Sequence, residues 1–222
     1  MRSRARATFT GWAYKVYLRF FSRGTNLFAV SERIVEYPFA VGEALKLSRG
    51  SRVLVFGCHS DMLTTLLPTI GMDTHGVDVK DFELRYKGFT FHRGDVRKTD
   101  FPDESFDAVF AVSTIEHIGL FDGDEAGDHK AVGEMRRVVK PGGAVVLTVP
   151  FASRADVIPM FERIYDRPAL DRLLDGLEVQ SVTAYAAEPG TLWRAIDPKE
   201  APPPQHQTSC TALVSARKRP QA

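Results

Sequence analysis

Residues 101–120, FPDESFDAVFAVSTIEHIGL, join a turn, an apolar run and a polar end in one short span. Ala108 to Val112 (AVFAV) is short, apolar and rich in β-formers, the pattern of a strand covered on both faces of a parallel sheet. The run stops at Ser113-Thr114-Ile115-Glu116-His117. In an open α/β sheet, ligands bind outside the carboxyl ends of the strands. Glu116 and His117 are therefore candidate catalytic residues, placed for chemistry rather than for packing.

Outward from this strand the chain alternates. RVLVF (52–56), THGVDV (74–79) and the short run 89–92 are predicted strands. Helices are predicted over 31–47, capped by Ser31 and kinked or split by Pro38, and over 62–70. Downstream, a helix over 127–139 breaks at Lys140-Pro141-Gly142-Gly143, and a strand follows over 144–149. A helix over 168–175 begins on a proline and ends before Gly176. The runs 178–184 and 208–216 lack a clear helix between them and are predicted to form an antiparallel hairpin at one edge. Residues 186–206, with five of the thirteen prolines, are the loop between them. The expected fold is α/β: a Rossmann-like, doubly wound, mostly parallel sheet with an antiparallel C-terminal edge hairpin. Residues 31–222 read as one domain, and residues 1–30 as a basic aromatic extension.

Net charge is +1, so no global field points to nucleic acid. The charge is nevertheless uneven. Arg2, Arg4, Arg6, Lys15, Arg19 and Arg23 all fall within residues 1–30, with no acid among them. The segment GWAYKVYLRFF (11–21) has two readings: a cap or lid helix whose cations reach water, or an interfacial helix making peripheral membrane contact. No stretch approaches the roughly eighteen apolar residues of a membrane span, and no secretory signal is visible. Two distant cysteines, Cys58 and Cys210, imply no disulfide framework, and a cytoplasmic setting is the simplest expectation.

The loop after the first strand reads Gly57-Cys58-His59-Ser60-Asp61. A dinucleotide site would offer Gly-x-Gly-x-x-Gly, because a pyrophosphate needs close backbone approach and N–H donors. One glycine remains here, and Asp61 would repel the pyrophosphate. S-adenosylmethionine (SAM) carries no phosphate. It needs a tight approach for its amino-acid part, an acid for the ribose diol and polar contacts for the adenine edge. Asp78 ends the second strand about twenty residues after Gly57, the spacing of a ribose-binding carboxylate. Asp95 ends the third strand beside the apolar Val96, suited to accept from an adenine amine.

On these residues, 31 to about 185 resemble class I SAM-dependent methyltransferases. The matching blocks are RVLVFGC (52–58), THGVDVKD (74–81), GDVRKTDFPDESFDAVFAVSTIEHI (94–118) and EMRRVVKPGGAVVLTVPF (134–151). The chain also resembles a subgroup found with bacterial polysaccharide and glycolipid biosynthesis. That likeness lies in EYPF (36–39), the GC-x-S loop, STIEHIGL (113–120), Gly127-Asp128-x-Lys130 and ERIYD (162–166). The resemblance implies that Gly57 and its neighbour Cys58 contact the methionine part, Asp78 the ribose, and Asp95 with Val96 the adenine. It also implies that Ser113 lies beside the sulfonium. The chain departs from the family at Val55, where the family ends its first strand in an acid, and at His59 and Asp61, which replace loop glycines. These departures leave a second class of function open, a non-catalytic methyltransferase-like binding subunit.

For an enzyme, the expected reaction is O-methylation of a sugar or glycan-type acceptor, with another small molecule or a lipid headgroup as the alternative. An alcohol acceptor must lose its proton, and an imidazole of unperturbed pKa about 6.5 suits that task. His117 is the expected base, with Glu116 orienting it or touching substrate. Alternatively, Glu116 begins a helix and His117 packs beside it. The loop 122–129 fails the calcium pattern, with Ala126 at a ligand position and Gly133 where the closing Glu belongs. No metal ligand is assigned there. The loop is read as an acidic, solvated lid, with Mg held by Asp122, Asp124 or Asp128 as the lesser alternative. Glu162, Arg163 and Tyr165 either line the acceptor pocket, or Arg163 pairs with Asp166 at the surface. Trp193 is a stacking platform or a buried anchor. His75 and His92 are read as structural.

Overall fold

The computed structural model describes residues 31–82, 86–187, 192–205 and 209–220. The extension over 1–30, with both readings of its aromatic segment, lies outside the described residues. So does part of the proline-rich loop.

Eight strands form one sheet in the order β3-β2-β1-β4-β5-β10-β8-β9. Strands β1 (Arg52–Phe56), β2 (Asp73–Asp78), β3 (Phe89–Arg93), β4 (Phe106–Val112) and β5 (Val139–Pro150) run parallel. Strand β10 (Cys210–Lys218) lies antiparallel between β5 and β8 (Leu177–Ala186). A short β9 (Arg194–Ile196) closes that edge against β8. The expected α/β sheet with an antiparallel flank is thus present. The late hairpin has its last strand on the inside, and β9 emerges from a segment expected to be loop.

Alternate residues of the central strands feed two separate cores. Val53, Val55, Phe110 and Val112 pack beneath α1 (Arg33–Ala44) and α2 (Leu63–Thr69). Leu54, Phe56, Val109 and Ala111 pack beneath α3 (Gly127–Val138) and α4 (Arg167–Leu173). This is why AVFAV has no polar position: period-two alternation delivers each side chain to an apolar helix face.

Four local expectations need correction. Helix α1 runs through Pro38 without splitting. The carbonyl of Ile34, which Pro38 cannot satisfy, lies on an exposed turn where water can reach it. Ser31 offers its backbone carbonyl to Ile34 N–H, and no side chain caps that helix. A two-stranded ribbon, β6 (Asp156–Ile158) with β7 (Glu162–Ile164), stands where no strand was expected. The break at Lys140 to Gly143 is real but belongs to β5. Phe106 pairs with Val139 and Ala108 with Ala144, so the intervening residues bulge outward, with Gly142 at φ +73°. At α4, Asp166 caps as the sequence suggests, its carboxylate accepting Ala169 N–H at 2.8 Å.

Candidate active site

Strands β3, β2, β1 and β4 end side by side on one edge of the sheet. Their loops enclose a cavity of about 600 Å³, a size typical of small-molecule sites. Its lining includes Gly57, Asp78, Asp95, Val96, Ser113 and His117, so six of the predicted site residues meet there. The side chains of Cys58 and Glu116 do not join them. Cys58 is buried under β2, where a Cβ on Gly76 would lie 2.8 Å from its Sγ. Burial, with Asp78 and Asp61 adding to it, pushes the thiol up to about 12.

Gly57 holds the left-handed conformation, φ 69° and ψ 43°. A Cβ there would stand 2.4 Å from Thr114 Cγ2. The loop glycine is therefore required by the chain's own β4 end as well as by any ligand. Asp78, largely buried, accepts His59 N–H at 3.0 Å on Oδ2 and Lys80 N–H at 2.8 Å on Oδ1. These N–H groups are thus directed at a carboxylate rather than left for a phosphate. Each Asp78 oxygen keeps a lone pair for a hydroxyl donor. A phosphate-free nucleoside with a ribose diol fits this arrangement, and a pyrophosphate does not.

Asp95 is gripped by Arg97 through Nε and Nη2, at 2.6 to 3.1 Å, and Arg97 holds the carboxyl below its usual range. The same guanidinium reaches Asp122 at 2.7 Å and Asp124 at 3.1 Å, while Lys130 takes Asp124 at 2.8 Å. The acidic loop is therefore tied down by cations. Among the described residues no three ligating side chains converge to hold a metal. Arg97 was missed because its links to Asp122 and Asp124 are distant in sequence.

His117 sits in a single 3-10 turn after β4 (Ile115–His117). Its Nδ1 lies 2.5 Å from the carbonyl oxygen of Phe161, in the turn of the β6–β7 ribbon. A carbonyl only accepts, so Nδ1 carries the proton and Nε2 keeps the lone pair. Burial lowers the ring pKa below 6.5, despite the Phe161 contact, which acts the other way. Glu116 does not orient the ring: Oε1 is 3.8 Å from Nε2, and the carboxyl is buried. Burial raises its pKa well above the usual range, with Glu36 and Glu162 adding to it.

Ser113 takes a positive φ of 41°, an unusual state for a residue other than glycine. It donates Oγ–H to Glu36 Oε1 at 2.9 Å, and its N–H reaches Thr148 Oγ1 at 3.0 Å. Glu36, fully buried on α1, also accepts from Thr211 Oγ1 at 3.1 Å and Arg33 Nη1 at 2.8 Å. Glu36 was quoted within the EYPF block, but nothing local to it signalled this convergence.

Arg163 takes neither of its expected roles. Its guanidinium donates to the carbonyls of Ile118 at 2.6 Å and Glu125 at 3.2 Å and lies 3.6 Å from Asp128. It thereby fastens the ribbon to the His117 turn. Tyr165 is buried and donates to Asp128 Oδ2 at 2.8 Å. Glu162 is buried as well, and Trp193 lies outside the cavity lining. His75 and His92 meet through Nδ1 and Nε2 at 2.9 Å beside Phe101 and Phe106, and burial lowers the pKa of both.

This sheet order, with β10 reversed between β5 and β8, is the fold of the SAM-dependent methyltransferases. More particularly, residues 54–147 match the methyltransferase domain family. A sterol 24-C-methyltransferase of Gibberella zeae is 25% identical over 145 residues, covering 60% of this chain and 36% of that protein. The chain thus spans about a third of the length of such curated relatives. Among solved structures, the 1,6-didemethyltoxoflavin N1-methyltransferase of Burkholderia thailandensis, bound to its substrate and S-adenosylhomocysteine, gives a TM-score of 0.63. It is 14% identical, with 95% of this chain and 90% of that one covered. The N-methyltransferase NodS of Bradyrhizobium japonicum, also with S-adenosylhomocysteine, gives 0.61 at 14% identity over 84% and 87% of the two chains.

Proposed function

We propose that the protein is a SAM-dependent methyltransferase that methylates a hydroxyl of a sugar or glycan-type acceptor. The methyltransferase domain match and the fold support the reaction class. The observation that carries the hydroxyl acceptor is the His117–Phe161 hydrogen bond. It fixes a neutral imidazole with a basic Nε2 on a residue that lines the cavity. In this reading Asp78 receives the ribose hydroxyls, Asp95 and Val96 the adenine edge, and Gly57 and Ser113 flank the methionine part. Bound SAM supplies a methyl carbon already activated by its sulfonium. The chain aligns the acceptor, excludes water and takes the hydroxyl proton on His117 Nε2 as the new C–O bond forms. The acceptor oxygen gains the methyl group, the sulfonium leaves as a neutral thioether, and the proton ends on imidazole.

Radiolabelled SAM offered with a panel of sugars, glycans and lipid-linked headgroups tests the reading. Transfer to hydroxyl-bearing glycans supports it, and transfer only to amines or carbon acceptors overturns it. A cytoplasmic setting and peripheral membrane contact through residues 1–30 belong to the same proposal. If the contact is real, removing residues 1–23 abolishes co-sedimentation with anionic vesicles.

A further inference from the structure

A second cavity, of about 350 Å³, lies at the opposite end of the strands from the first, where α3 ends and β5 begins. Its lining is Gly133, Arg136, Arg137, Gly176, Lys218 and Arg219: four cations, two glycines and no acid. Three separate parts of the fold bring these residues together. They are the second half of α3, the turn before β8 and the chain leaving β10.

The four cations are not equally engaged. Arg137 holds Glu134 at 2.7 Å and also Asp103, and Lys218 holds Glu104 at 3.0 Å. Lys218 also donates to the carbonyl of Val139 at 3.1 Å, which leaves one of its three donors. Arg136 donates to the carbonyl of Asp175 at 3.0 Å but meets no carboxylate among the described residues. Arg219 makes no hydrogen bond or ion pair among them. Gly176, at φ +81°, is required here, because a side chain on it would occupy the space of the Arg136 guanidinium. At Gly133 an added Cβ would meet nothing within 4 Å, so the floor of the cavity is open backbone.

We propose that this second cavity binds a phosphate group, held by the guanidiniums of Arg136 and Arg219 with Lys218 as a further donor. A guanidinium presents paired N–H donors that match phosphate oxygens, and two of them from different elements suit a tetrahedral dianion better than a planar carboxylate. The site shares no residue with the first cavity, so it stands whether or not that cavity holds SAM.

The competing account is that Arg136 and Arg137 only complement the carboxyl end of the α3 dipole, which calls for no ligand. NMR of the full chain, titrated with inorganic phosphate against chloride at constant ionic strength, separates the two. We expect saturable shifts of the Gly133, Gly176 and Arg219 amides, with the Gly57 amide unmoved. Arg219→Gln, which breaks no contact among the described residues, should weaken phosphate about two- to fivefold, and adding Arg136→Gln about tenfold, as exposed charge contacts imply. Shifts that do not saturate, or Arg219→Gln binding phosphate as the wild type does, overturn the proposal. Co-sedimentation with vesicles of phosphatidic acid in phosphatidylcholine then names the source of the phosphate. Weaker co-sedimentation of Arg219→Gln than of the wild type assigns it to a lipid headgroup, and equal co-sedimentation to a soluble phosphate ester.

Discussion

Two parts of the cavity wall are held in different ways, the loops after β2 and β3 and the turn after β4. After β2 and β3, Asp78 and Asp95 are fixed by partners no more than 19 positions away in the chain. Asp78 takes the N–H groups of His59 and Lys80, and Asp95 takes Arg97. After β4, the groups around His117 are fixed by partners far along the chain. The Phe161 carbonyl sets its tautomer, Arg163 anchors the turn that carries it, and Glu36 reaches Ser113 across 77 positions. A cofactor common to many proteins can be held by short-range geometry. The side to which the proposal assigns the acceptor is assembled from parts that sequence neighbours do not reveal.

The largest test of this contrast is His117→Ala. Loss of a general base costs about 10²- to 10⁴-fold in turnover. S-adenosylhomocysteine affinity, which the proposal assigns to the ends of β1, β2 and β3, should stay within about twofold by calorimetry. Unchanged turnover removes the base role, and loss of cofactor affinity removes the division of labour. The pH profile sharpens the same point. Because the folded ring pKa lies below 6.5, its basic form persists to lower pH than in a free imidazole. The acid limb of kcat/KM should fall below pH 6.5, and a limb centred above that value contradicts the assignment.

Gly57→Ala attacks the cofactor side. A left-handed alanine costs about 1–2 kcal/mol. Displacing Thr114 adds about 1–3 kcal/mol. Urea unfolding should therefore show a loss of roughly 2–5 kcal/mol, with cofactor binding impaired. On the acceptor side, Arg163→Met leaves the carbonyls of Ile118 and Glu125 without their donor. About 2 kcal/mol of stability should be lost, and hydrogen exchange should rise in the ribbon and the His117 turn together. Exchange rising in the ribbon alone would break the proposed link. Asp166→Ala, remote from both sites, should cost only about 1 kcal/mol, the value of a helix cap.

The same contrast explains what was legible beforehand. AVFAV and RVLVF announced buried parallel strands because both of their faces meet helices, and Asp78 and Asp95 followed from strand ends at the right spacing. The β6–β7 ribbon was illegible because its strands are three residues each and two of its members, Glu162 and Arg163, are charged yet buried or nearly so. Pro38 misled because propensity describes an isolated helix, whereas α1 is held by packing of Ala40 and Ala44 on the sheet. Glu116 misled in the opposite sense. A charge at a strand end suggested an exposed working group, but its carboxyl is turned into the protein beside Glu36 and Glu162.

The inside position of β10 bears on the timing of folding. Its residues pair with β5 on one side and β8 on the other. Until Cys210–Lys218 has been synthesised, β5 and β8 each present an unpaired edge of mainly apolar strand, the kind of surface that recruits other chains. Closing the sheet then requires a contact across some sixty residues to Val149, a slow search by the measure of loop entropy. On the ribosome, the antiparallel flank is therefore the last part of the sheet to close and the interval of greatest exposure to aggregation.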